Sequence, residues 1–140
     1  MELHLLRLFL AALGAFVAYM AIGFALFAAM PGLKVEFKKY PAVYRDEPEM
    51  MKRMPLAMLA IFVAILVLAV LYALMRPWES GLLQGLGFGV LVAVFTSCTF
   101  VIHNHVNLNI GLKLTVQSGI AYFIQWVVVG VVIGLIYRLA

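Results

Sequence analysis

Charge is scarce in this sequence. Only 11% of its 140 residues are Asp, Glu, Lys or Arg, against about 25% in a soluble domain. Where charge is missing matters more than how little there is. None occurs between Arg7 and Lys34, between Arg53 and Arg76, between Glu79 and Lys113, or between Lys113 and Arg138. A proton-coupled pump that relies on a buried carboxylate needs an acid inside such a run, and a voltage sensor needs arginines there. Both are disfavoured, as are the carboxylate or His pairs of general acid–base catalysis. Cysteine is as rare: the lone Cys98 rules out an intrachain disulfide and any CxxC motif. Phosphate-binding loops, dinucleotide fingerprints, nucleophile elbows and HExxH are all missing. Ser80, Ser97 and Ser118 have no His or Asp at a motif spacing.

What is abundant is apolar. Hydrophobic residues make up 66% of the chain, and the mean hydropathy is +1.11. A water-soluble domain of this size would lack the polar residues to cover itself, so lipid must solvate much of the exterior. Four continuous apolar runs stand out, at residues 5–30, 55–75, 82–103 and 112–139. Each matches a hydrocarbon core of ~30 Å at 1.5 Å per residue. The runs do not alternate as barrel strands would. The first is too long for a signal-peptide core and reads as a helix. The expected fold is all-α: one domain, a polytopic four-helix transmembrane bundle, with a charged loop at 31–54.

The formal net charge of +4 sits in that loop and at helix ends. This is a topology signal and not a nucleic-acid face. Six Lys and Arg lie in the loop and Lys113 follows the third connection. Arg7, Arg76 and Arg138 lie at the other end. The positive-inside rule then predicts a cytoplasmic loop and both termini on the opposite side. Trp78 and the pair Tyr137 and Arg138 read as interfacial anchors. The Asp46-Glu47-Pro48-Glu49 stretch reads as a helix start, with acids in the first turn. Pro55 is expected in the first turn of the second span, where a missing N–H matters little.

Helices in lipid associate by close packing, so small residues mark seams. Gly81, Gly85, Gly89, Ala93 and Ser97 recur at every fourth position of the third run. Gly14, Ala18, Ala21, Ala25 and Ala28 alternate steps of four and three in the first. Gly130 and Gly134 form a GxxxG pair in the fourth. These seams serve either packing within one bundle or association with another chain. The second run has only scattered alanines and is expected to be the most lipid-exposed.

Polar groups gather in the second half. Thr96, Thr99 and His103 share a helical face, and Asn104, His105 and Asn107 are expected in a turn after it. Gln117, Ser118 and Gln125 lie on the fourth run. A short connection makes these two helices antiparallel neighbours. Their polar faces then make either ordinary interhelical hydrogen bonds or a candidate polar site. His103 and His105 are i and i+2, which diverge on a helix, so no metal or haem site and no cofactor is expected. Met50, Met54 and Met58 share a face. Thioethers suit Cu(I), but they are also flexible apolar filler, the reading adopted here.

The order of parts carries a resemblance. Val43-Tyr44-Arg45-Asp46-Glu47-Pro48-Glu49-Met50-Met51 leads into an apolar helix. A glycine-spaced helix, the His103-Asn104-His105-Val106-Asn107 stretch and a closing Gly130-Val131-Val132-Ile133-Gly134 follow. This layout resembles small bacterial four-helix integral membrane proteins of unknown function. The resemblance implies the fold and the bacterial inner membrane, and it brings no catalytic residues. The arginine-and-asparagine pattern of fluoride channels and the intramembrane glutamate of small multidrug exporters are both missing. The expectation is therefore a non-enzymatic bundle acting through helix contacts, as an accessory subunit or by self-association. Its partners would be the bilayer and another membrane protein or a second copy, with no nucleic acid. The alternatives are a small homo-oligomeric transporter or channel, and a haem- or metal-binding protein using His103 and His105.

Overall fold

The computed structural model of the chain describes residues 4–75 and 81–137. Arg76, Trp78 and Arg138, read above as topology charges and an anchor, lie outside the described residues. Among the described residues every regular element is helical. The order is α1 (Leu5–Ala29), α2 (Pro31–Lys38), α3 (Glu47–Leu74), α4 (Leu82–Thr96), a π-helical stretch (Ser97–Ile102), α5 (His103–Asn107) and α6 (Leu112–Ile136). Four spans are long and apolar enough to cross a bilayer: α1, α3, α6 and the continuous run Leu82–Asn107. The chain is a multi-pass membrane protein with an all-α fold.

Helix α6 is the hub. Its best contact is antiparallel, with α4. Gly85 faces Gly134, and Gly89 faces Gly130. A methyl group on Gly85 would lie 2.6 Å from the Gly130 carbonyl oxygen, and one on Gly89 2.6 Å from that of Val127. Only glycine permits this approach of two backbones. Gly81, Gly85, Gly89 and Ala93 are buried, so the four-residue seam of the third span is spent inside the bundle.

The α1 seam differs from expectation. Ala11, Ala12 and Ala15 are fully buried, together with Leu8 and Tyr19. Gly14 and Ala18 are half-buried, while Ala21, Ala25 and Ala28 are exposed. The reason is that α1 carries small residues on two faces, and spacing alone does not say which positions the other helices cover. A methyl on Gly14 would lie 2.6 Å from Ile136 Cδ1. Further along, the Tyr19 and Trp126 rings sit 5.2 Å apart.

Helix α3 starts eight residues before the expected 55–75 span. Asp46 is its N-cap: Oδ1 accepts from the Glu49 backbone N–H at 3.0 Å, and Glu47 and Glu49 lie in the first turn where the dipole favours acids. Pro55 therefore lies inside the helix. It removes one backbone donor without ending it. The C-terminal half of α3 packs on α1. Phe62 meets Phe9 and Phe16 edge-on at 6.2 and 5.6 Å, and Ile65, Ala69 and Tyr72 are buried. Every residue from 45 to 60 is exposed, the least of its large hydrophobics being Met54 and Met58. This is the span predicted to be most exposed to lipid.

Two further expectations change. The 31–54 loop contains the helix α2 and the first turns of α3. The third span also continues past 103, so His103, Asn104, His105 and Asn107 are helical and the turn is only 108–111. The fourth span is helical over Leu112–Ile136, and its expected end at 139 lies outside the described residues.

Candidate functional site

The polar residues of the second half do not assemble between α4 and α6. Their hydroxyls close on their own helix instead. Thr96 donates to the Val92 carbonyl at 2.9 Å, Ser97 to Ala93 at 2.8 Å, Thr99 to Phe95 at 2.7 Å and Ser118 to Leu114 at 2.7 Å. Such bonds to the i−4 carbonyl satisfy a hydroxyl within lipid and often bend a helix. Three of them fall where α4 passes into the π-helical stretch. Thr99, His103 and Asn107 are exposed and Asn104 is half-buried. Gln125 is buried but faces α1: its Nε2 donates to the Tyr19 carbonyl at 3.2 Å. Gly23 stands beside that amide, where a side chain would collide with it. Gln117 lies against Gly32 at the start of α2.

One polar pair does meet, between predicted His105 and Thr115. His105 Nδ1 and Thr115 Oγ1 are 2.9 Å apart. Thr115 also lies 3.2 Å from the Gly111 carbonyl. When Thr115 donates to that carbonyl, Nδ1 carries the hydrogen and donates to Thr115. The bond pins α5 to the first turn of α6 across the 108–111 turn. Among the described residues no group of three or more His, Cys, Asp or Glu side chains converges.

The densest polar cluster is one that motif reading missed. Glu36 on α2 is only 3% exposed. Its Oε1 accepts from Lys39 at 2.7 Å and from Lys113, on α6, at 3.2 Å. The Lys39 hydrogen bond is the main force holding the Glu36 carboxyl below the usual carboxylate range, and burial opposes it. The same bond raises Lys39 above its ordinary value. One turn on, the Gly111 N–H donates to Tyr40 Oη at 2.9 Å. Phe37 packs edge-on against Tyr44 at 4.8 Å, and burial pushes the Tyr44 hydroxyl up. Helix α2 is thus strapped along the start of α6 by three side chains.

A helical reading of the loop would have found this cluster. Leu33, Glu36, Phe37 and Tyr40 fall at i, i+3, i+4 and i+7, one face of a helix opening at Pro31. Within that face Glu36 is the odd member, an acid at a position that spacing assigns to the interior. The cluster joins two distant parts of the sequence, the charged loop and Lys113, at one end of the bundle. It presents a single buried carboxylate between two cations, which is a structural ion pair and not a general acid or base poised at neutral pH. Against protein-family models, curated proteins and solved structures, the chain finds no match.

Proposed function

We propose that this chain works through helix–helix contact, as a non-enzymatic accessory subunit of a membrane assembly or as a self-associating bundle. The observation that carries the reading is the unused small-residue face of α1. Ala21, Ala25 and Ala28 are exposed, while the glycine seam of α4 is already occupied by α6. A face of this kind lets a further helix approach closely in lipid. The reading is preferred to a solute site between α4 and α6, because backbone contact leaves no space there and the hydroxyls are already bonded. The Lys and Arg count and the layout resemblance favour the bacterial inner membrane, with the α2 end in the cytoplasm.

Crosslinking in native membranes tests this through Ala25→Cys, and native mass spectrometry tests it through Ala21→Leu and Ala25→Leu. Both positions are exposed, so the bundle keeps its helicity. Association falls about tenfold or more, since one overpacked contact is worth about 1–3 kcal/mol. A strictly monomeric protein with no co-purifying partner sinks the reading.

A further inference from the structure

Glu36 needs one cation and has two. A buried carboxylate requires a paired opposite charge, and Lys39 supplies it at 2.7 Å. Lys113 reaches the same oxygen, Oε1, from another helix at 3.2 Å. Two ammonium groups therefore lie side by side over one carboxylate, and one positive charge is left over. The two lysine side chains are 54% and 67% exposed, whereas that of Glu36 is 4% exposed. The surplus charge therefore faces outward.

Donors also outnumber acceptors here. An ammonium carries several N–H donors, and each of these two spends only one on Glu36. Tyr40 adds a third group. Its Oη accepts from the Gly111 N–H at 2.9 Å, two residues before Lys113, and it interacts electrostatically with Lys39. Its own hydrogen has no acceptor among the described residues. What would complete the cluster is a single negative charge spread over several oxygens. A phosphate diester has that chemistry, and lysine binds phosphate as a point charge.

The depth of the cluster points to the source of the phosphate. Helix α6 has 25 residues, about 37 Å at 1.5 Å per residue, against a hydrocarbon core of about 30 Å. Lys113, in its first turn, therefore lies where hydrocarbon gives way to headgroups. Leu112, Val116 and Ile120 run from that level into the membrane at steps of four, and all three are exposed. They give acyl chains an apolar track beside the charge.

We propose that Lys39, Lys113 and Tyr40 hold the phosphate of one anionic phospholipid, whose acyl chains lie along Leu112, Val116 and Ile120. Native mass spectrometry of the whole chain in mild detergent provides the test, with phosphatidylglycerol and phosphatidylcholine added in turn. Phosphatidylglycerol should be retained about fivefold better, the worth of one surplus charge at a headgroup. Lys39→Gln and Lys113→Gln should each lose about fivefold of that retention, and Lys113→Arg should keep it. In either glutamine variant the other lysine still neutralises Glu36, so α2 stays docked and residues 40–46 stay protected from protease. Lys34→Gln is the control. It removes the same charge from α2, but Lys34 makes no ion pair with Glu36 among the described residues, and retention should hold. Equal retention of the two lipids overturns the proposal, as does an equal loss in Lys34→Gln and Lys113→Gln. Loss of protease protection in Lys113→Gln also overturns it, because Lys113 would then act by docking α2. Glycerol phosphate, a headgroup without chains, should leave the lipid in place, and full displacement by it assigns the site to a soluble anion instead. The site uses none of the α1 residues of the proposed helix contact. Association through Ala25 is read separately, so either idea can fail alone.

Discussion

At the scale of single residues, the chain buries one charge and pairs it with two cations through a single oxygen, Glu36 Oε1. Glu36 is held ionised in the folded state by Lys39 and then by Lys113. Its pKa is depressed, so its contribution is present above the ordinary carboxylate range and is lost as pH falls through the lower folded value. Lys39 is raised, and its contribution is lost only as pH climbs through its raised value. Docking of α2 should therefore be flat from mildly acidic to mildly alkaline pH. Limited proteolysis of residues 40–46 against pH checks this, with cleavage rising only in strong acid. Glu36→Gln should raise cleavage at neutral pH and abolish the acid step. Cleavage of the parent protein that rises between pH 7 and 5 contradicts the assignment. Tyr72 is the opposite case. Its ring packs edge-on with Phe88 and Tyr137 at 5.3 and 6.5 Å, yet its buried hydroxyl has no partner among the described residues. Tyr72→Phe should be neutral, or stabilising by up to about 1 kcal/mol. A clear drop in thermal stability would reveal a partner for that hydroxyl.

At the scale of elements, glycine position decides what a helix can touch. A methyl on Gly89 would enter the backbone of α6, while one on Gly87 would meet nothing within 4 Å. Gly89→Ala should destabilise by about 1–3 kcal/mol, and Gly87→Ala should be neutral or slightly stabilising. Thermal unfolding in detergent separates them, and equal effects would contradict the α4–α6 register. This seam was legible because glycine every fourth residue encodes backbone approach directly. The α1 seam was half legible, since alanine packs equally well against protein and lipid and the buried Ala11, Ala12 and Ala15 compete with Ala18, Ala21 and Ala25. The start of α3 was legible in Asp46-Glu47-Pro48-Glu49, but Pro55 reads as the first turn of a separate span, so the two stretches were not joined into one helix. The polar face of Thr96, Thr99 and His103 misled for another reason. A hydroxyl in a helix can close on its own i−4 carbonyl, so shared spacing does not imply a shared partner. Glu36 was missed because a run of charges reads as solvated until its apolar neighbours are laid on a helix.

At the scale of the whole molecule, the four spans are unequal in a way that follows from these local choices. Helix α6 meets α1 through Ile136, Trp126 and Gln125, α4 through its glycines, and α2 through Lys113. Helix α3 joins only by its C-terminal half. Four apolar runs of membrane-spanning length predicted the number of spans. They carried no information on which helix is central, because hydropathy measures transfer into lipid and not which neighbour replaces the lipid.

The central place of α6 has a consequence for synthesis. It follows all its partners along the chain. Until residues 112–136 leave the ribosome, α4 has no glycine face to meet, and α2 has neither Lys113 nor Gly111 to hold it. Of the contacts between spans described above, only those of α3 with α1 and, through Tyr72 and Phe88, with α4 can form early. The insertion machinery must therefore shelter one hairpin and a lone α4 whose closest packing is still to come. For a time α4 presents backbone to lipid along its whole glycine edge, and any chaperone of this protein's assembly would have that edge to recognise.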